Sequence, residues 1–278
     1  MPTIDLTIGP LEYDERGAGR PLVLLHGAFM NSSVWNSVVT ELGDDYRCLI
    51  PTLPMGGHRT PVRGDVDLTL TGLAAITGEF IERLGLDDVT LVGNDTGGAI
   101  AQVLVTMKPQ RVGQLVLASC EAFDNTPPGL PGKMAVQLSR IPGGLWFAAQ
   151  SMRLGPAARM PFTLGWMAKR PVSADLRNSW FGPLRQNGAI RRDTRRFLQS
   201  IDRAELVAAA KQLASFDRPT LIVWAAQDKV MPPEHAGRLA ELVGREPVRW
   251  IDDSYTLLPL DQPKEFAQAI AEFVRRHS

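Results

Sequence analysis

Two kinds of apolar run alternate along most of the chain. The first kind is short and unbroken, as in Pro21-Leu22-Val23-Leu24-Leu25, Val89-Thr90-Leu91-Val92 and Thr220-Leu221-Ile222-Val223-Trp224. Such runs mark strands buried on both faces. The second kind is longer, with apolar residues three or four positions apart, and predicts helices that turn one face to a core. In chain order the pattern predicts strands at Ile4–Ile8, Leu11–Glu15 and Pro21–Leu25, a helix at Ser33–Leu42 and a strand at Arg47–Leu53. A helix at Leu70–Leu84 stops at Gly85, and a strand at Val89–Val92, a helix at Gly98–Lys108 and a strand at Gln114–Ser119 follow. Alternation of this kind predicts an α/β fold, a mostly parallel sheet with helices on both faces.

Near Asn125 the rhythm breaks. Thr126-Pro127-Pro128-Gly129-Leu130-Pro131-Gly132-Lys133 is loop chemistry, and residues 134–210 read as helices without strands. The alternation resumes with the strand at Arg218–Trp224, a helix at Pro233–Leu242, a strand at Val248–Ile251 and a last helix at Lys264–Arg275. The expected organisation is therefore one core domain, residues 1–125 and 212–278, interrupted by an all-helical insert at 126–211.

Composition excludes more than it selects. The chain has 278 residues, 44% hydrophobic and 22% charged, which is ordinary for a globular protein with a sizeable core. No apolar run is long enough to span a bilayer, and Met1-Pro2-Thr3-Ile4-Asp5 lacks the basic-then-apolar start of a signal peptide. Cys48 and Cys120 sit in strand-like runs and read as buried reduced thiols, so a cytoplasmic location is expected. No zinc-type spacing of Cys or His is present. Net charge is zero but uneven: residues 126–211 hold fourteen Lys or Arg against four Asp or Glu. Either the basic insert docks on an acidic core, or it draws in an anionic substrate. No nucleic-acid motif accompanies the charge.

The chemistry concentrates at Gly93-Asn94-Asp95-Thr96-Gly97-Gly98, between a core strand and a core helix. Small residues on both sides of one polar residue in a strand-to-helix turn form a nucleophile elbow. Gly93, Gly97 and Gly98 are needed where backbones approach closely, and Asp95 is pushed out above the sheet. The amide of Thr96, at a helix N-terminus, faces whatever Asp95 attacks. A second amide is expected from Ala28 or Phe29, after the strand ending in Leu25-His26-Gly27. A carboxylate attacking a saturated carbon forms an alkyl ester, whereas attack on an ester carbonyl gives an anhydride, so Asp95 points to an sp3 electrophile.

These stretches, with Ile222-Val223-Trp224-Ala225-Ala226-Gln227-Asp228 and the segment from Asp253 to Pro263, resemble the α/β-hydrolase superfamily over nearly the whole chain. The elbow aspartate resembles the haloalkane dehalogenase and epoxide hydrolase branch, and the insert looks like that superfamily's helical cap. The resemblance implies an orienting acid at Asp228 or at Glu121. It also implies a histidine base just before the last helix, where this chain has Thr256. A threonine cannot accept a proton near neutral pH. Among the four histidines, His26 belongs to the oxyanion turn, His235 lies in a helix beyond Asp228 and His277 is penultimate. His58, in a glycine-containing loop, is the one substitute base the sequence offers. Thr96 and Ala28 occupy the places of the dehalogenase halide donors. The tyrosines are Tyr13, Tyr46 and Tyr255, none in the insert, so the epoxide hydrolase proton donors are missing too.

The expected function is an enzyme acting on a small organic substrate between sheet and cap, with Asp95 as nucleophile and no cofactor. Trp146, Trp166 and Met167 are expected to line the pocket, and Tyr255 and Thr256 to border it. The rivals are a lyase, isomerase or cyclase using Asp95 as acid or base, and a binding protein without turnover. The expected partner is the substrate alone, without nucleic acid or membrane, and a homodimer is left open.

Overall fold

The computed structural model describes residues 1–107, 110–243 and 246–277. Among them an eight-stranded sheet has the order β1-β2-β4-β3-β5-β6-β7-β8. Its strands are β1 (Thr3–Leu6), β2 (Gly9–Arg16), β3 (Arg20–Leu25), β4 (Tyr46–Pro51), β5 (Val89–Asp95), β6 (Val112–Cys120), β7 (Thr220–Ala225) and β8 (Arg249–Ile251). From β4 to β8 neighbours pair in parallel, while β1, β2 and β4 pair antiparallel. The uninterrupted apolar runs are the central strands: β5, β6 and β7 are buried at every position. β2, whose outward positions are half-buried, alternates instead.

Helices cover the sheet in two groups. α1 (Asn36–Leu42) packs on α12 (Pro263–Arg276). α2 (Leu70–Arg83), α3 (Thr96–Met107), α9 (Arg203–Leu213) and α10 (Pro233–Val243) form the other layer. α12 buries Phe266, Ile270 and Phe273, one turn apart, against this core, and its other face is charged. Truncating Phe266 to Ala would cost about 3–5 kcal/mol.

Between β6 and α9 run α4 (Gly129–Arg140), α5 (Gly144–Ser151), α6 (Gly155–Ala158), α7 (Ala174–Gln186) and α8 (Gly188–Ser200). α4, α5, α7 and α8 pack on one another. The sequence boundary at 211 runs one helix too far, because α9 packs on α2, α3 and α10 of the sheet layer. Its composition resembles the insert's, and only its packing separates it. The sequence end of the α3 helix at Lys108 falls outside the described residues. β5 continues through the elbow to Asp95 because Gly93 and Asn94 keep pairing with β6.

Candidate active site

The elbow is built by steric necessity. Asp95 has φ of 57°, the left-handed region that a non-glycine residue adopts only at a cost. A Cβ on Gly93 would meet the Gly97 carbonyl at 2.4 Å, one on Gly97 the Leu25 carbonyl at 2.2 Å, and one on Gly98 the Cys120 Cβ at 2.3 Å. All three glycines are therefore required, as the sequence pattern predicts. A Cβ on Gly27 would stand 1.9 Å from Asp95 Oδ2, so bare backbone lets the carboxyl lie against the oxyanion turn.

The amides of Thr96 and Ala28 donate to the Asp95 carboxyl, and Oδ1 is buried without a partner. Between the two expected donors the structure selects Ala28. The Phe29 amide is spent on the Met55 carbonyl at 2.9 Å. Phe29 contributes its ring instead, stacked on Phe181 at 5.9 Å and lining the cavity.

Both orienting acids lie beside Asp95. Glu121 follows β6, fully buried, and accepts from the hydroxyls of Thr96 (2.7 Å) and Thr126. Asp228 follows β7. Its Oδ1 accepts from the amides of Val230 and Met231, each at 2.9 Å, and from the Thr256 hydroxyl at 2.7 Å, while Oδ2 has no partner. Thr256 thus keeps the link to Asp228 but ends there. Its carbonyl accepts from Asn94 Nδ2 at 2.8 Å, and the same amide group donates to the carbonyls of Ala118 and Ser119.

Burial pushes the Asp95 carboxyl well above the usual range, and the charges of Glu121 and Asp228 push it further, against the two amides. Burial raises Glu121 and Asp228 as well, opposed by their hydroxyl and amide donors. Among the described residues no Lys, Arg or His forms an ion pair with any of the three. Three buried carboxyls without a cation cannot all ionise, so the cluster holds protons above the ordinary carboxylate range.

No histidine joins them. His26 Nε2 accepts the Leu53 amide at 3.0 Å, so its Nδ1–H donates to the Gly27 carbonyl at 2.8 Å; burial lowers its pKa to about 4. It pins the oxyanion turn. His58 is a correction: it is buried away from the cavity, beside Pro10, Glu12 and Thr52. Its Nδ1 accepts the Gly56 amide at 3.2 Å and its Nε2 lies 3.7 Å from Asp193 Oδ2 on α8. His235 packs edge-on to Phe123, and His277 contacts Glu246 at 2.8 Å.

The cavity, of about 290 Å³, lies between the elbow and α4–α8. Asp95, Thr96 and Glu121 form its floor, and Phe29, Leu138, Met152, Met167, Phe181 and Leu184 are among its walls. Trp146 and Trp166 are not on that wall, contrary to the sequence expectation. α5 buries Leu145 and Ala149, which turns Trp146 outward, and helical phase could have revealed this. Trp180, which the sequence reading passed over as a liner, is on the wall, its indole N–H turned to Ser33 Oγ at 3.0 Å. Tyr255 lies outside, its ring under the ammonium of Lys229 at 4.4 Å, and Thr256 and Asp228 sit behind the wall.

The basic insert does not reach the cavity. Arg177 donates to the carbonyls of Met152 and Val172, Arg191 to that of Leu184, and Arg196 pairs with Asp65 at 2.7 Å. The ionisable groups on the wall are the carboxyls of Asp95 and Glu121.

Residues 20–262 match the family described as alpha/beta hydrolase fold. A cis-3-alkyl-4-alkyloxetan-2-one decarboxylase of Shewanella oneidensis is 28% identical over 79% of this chain and 71% of its own. Haloalkane dehalogenase 2 of Mycobacterium tuberculosis is 25% identical over 96% of this chain and 92% of its own. Among solved structures, a meta-cleavage product hydrolase of Pseudomonas fluorescens superposes with a TM-score of 0.80 at 18% identity, covering 100% of this chain and 98% of that one. A reconstructed ancestral haloalkane dehalogenase gives 0.78 at 20%, covering 100% and 99%.

Proposed function

The chain belongs to the α/β-hydrolase fold family, and within it we propose an enzyme that uses Asp95 as a nucleophile on a saturated carbon of a small apolar substrate. One observation carries the reading: the Asp95 carboxyl stands at the tip of a strained strand-to-helix elbow, on the floor of an apolar cavity, with the amides of Thr96 and Ala28 turned to it. That is the posture of a carboxylate placed to attack a bound carbon. The helical insert serves as the cap that keeps water from the reacting carbon. The two named relatives act, by their names, on haloalkanes and on alkyl-substituted oxetanones, in keeping with an apolar cavity.

In the step proposed, a carboxylate oxygen of ionised Asp95 bonds to carbon, the bond to the leaving group breaks, and a halide departs with its electron pair. The amides of Thr96 and Ala28 stay beside the new ester. Hydrolysis of that ester needs a water deprotonated beside its carbonyl, and Thr256 offers no lone pair basic enough. The ester therefore accumulates. Because Asp95 must first lose its proton, the alkylation rate rises with pH through the elevated pKa of the cluster.

Intact-protein mass after incubation with alkyl halides, epoxides and activated esters, followed by peptide mapping, tests this. A persistent alkyl adduct on Asp95, absent in Asp95→Asn, is the expected result. Substrate consumed without an adduct would replace the covalent reading with acid–base chemistry by the protonated carboxyl cluster, the second reading that the raised pKa values favour.

A further inference from the structure

The outer surface of the cap departs from what a surface exposed only to water requires. α5 already buries Leu145 and Ala149 against its neighbours, yet Trp146 and Phe147 point outward. Around it, Ile141, Leu154, Met160 and Phe162 are exposed as well; Phe147 is 66% and Leu154 63% accessible. These six residues lie within 141–162, on α5 and in the turns that flank α5 and α6. Seven of the ten exposed large hydrophobics among the described residues are in the insert. Apolar groups clustered in this way mark a contact surface. Phe147 and Phe162 also belong to the cavity wall, so the patch reaches the cavity mouth.

The charge around it has one sign. From Thr126 to Ala174 the chain has six Lys or Arg and no Asp or Glu. Lys169 and Arg170 are taken by Asp253. Lys133, Arg140, Arg153 and Arg159 are exposed, and among the described residues none of them forms an ion pair. Burial lowers the pKa of the Arg185 guanidinium, and the charge of Arg153 nearby lowers it further.

We infer that this face of the cap docks on an anionic lipid surface, with its aromatic and aliphatic side chains in the headgroup–acyl boundary and its four free cations among the headgroups. Protruding Trp, Phe and Leu with interspersed Lys and Arg is the composition of a protein element that lies in a membrane interface. A second copy of the chain fits poorly, because a two-fold interface would set the same cations against themselves. The sequence reading expected no membrane contact because it asked only about spanning; no helix is long and apolar enough to span, and an interfacial face needs none. Docking would open the cavity mouth toward the hydrocarbon, so that a lipid-dissolved substrate could enter without crossing water. The docking does not depend on the chemistry at Asp95.

Flotation of the intact chain with phosphatidylcholine vesicles, with and without added phosphatidylglycerol, tests it. The chain floats with anionic vesicles, stays behind with neutral ones, and is released by salt. The triple variant Trp146→Ser, Leu154→Ser, Met160→Ser lowers the partition coefficient about tenfold or more, and Arg153→Glu with Arg159→Glu does the same. These residues are exposed and off the cavity wall, so the variants keep the wild-type melting temperature and the wild-type labelling of Asp95 by a soluble alkyl halide. Asp95→Asn floats as wild type, which separates failure of this inference from failure of the catalytic reading. Two outcomes would overturn it: no flotation with anionic vesicles, which would direct attention to an acidic protein as the occupant, or flotation that the triple variant leaves unchanged.

Discussion

Two of the molecule's buried polar clusters are of opposite character. One, at the elbow, is three carboxyls with no imidazole and no cation. The other, where the loop after β4 meets α8, sets His58 against Asp193, with the Arg192 guanidinium 3.2 Å from the same carboxylate. The second cluster is balanced: burial opposes the charge of Asp193, and His58, the Val62 amide and Arg192 outweigh it and lower its pKa. The first is unbalanced, and burial raises every member of it. A balanced cluster serves the fold, here by riveting cap to core. An unbalanced one costs stability and is retained where it faces a cavity. None of the four imidazoles of this protein lines the cavity.

The sharpest way to break the comparison is Asp95→Asn. It abolishes alkylation, a loss of about a thousandfold or more by adduct mass against time. The same change stabilises the fold. A raised carboxyl keeps in the folded state a proton that the unfolded chain releases, so stability falls as pH rises above the ordinary carboxylate range. Thermal melts of Asp95→Asn should therefore exceed wild type by a margin that grows with pH.

Asp193→Ala is the converse test. It leaves His58 and the Val62 amide without their partner and lowers stability by about 3 kcal/mol in denaturant titration, while the Asp95 alkylation rate stays within about threefold. A comparable fall in alkylation rate would mean that the two clusters are one functional unit. His26 sharpens the point by pH. The unfolded imidazole takes up a proton below 6.5 and the folded one only near 4, so stability present above 6.5 is lost as pH falls between those values, by about 3 kcal/mol in all. His26→Asn flattens that slope in melts across the window even if its plateau is lower.

Thr256→His asks whether the missing base is all that is missing. It should shorten the lifetime of the Asp95 ester about tenfold to a hundredfold, read as the decay of adduct mass. An unchanged lifetime would mean that the new ring does not reach the ester. The smallest effect belongs to His58→Gln, which should leave alkylation unaltered and cost about 1 kcal/mol of stability.

Local rules made much of this legible in advance. Leu22–Leu25, Val89–Val92 and the glycines around Asp95 are dictated by burial and close approach, which neighbouring residues reveal. The candidate acids Glu121 and Asp228 came from the resemblance, through their places after the strands now seen as β6 and β7. What escaped depends on partners distant in sequence. Nothing near Phe29 announces that Met55 will take its amide, and nothing near His58 announces Asp193. Trp146 was misplaced for another reason: an apolar identity says that a residue avoids water in most folds, not which side of a helix it occupies. The same gap hid the exposed face of the cap.

Asn94 has a consequence for how such a site changes over time. Its one amide group ties the backbone at 256 to two carbonyls of β6, so the segment before α12 keeps a backbone anchor at 256 besides the bond from the Thr256 hydroxyl to Asp228. Position 256 is thereby a socket whose occupant can be exchanged while the wall around it stays in place. Whether that place carries a proton acceptor is then decided by one side chain, with the backbone around it already held.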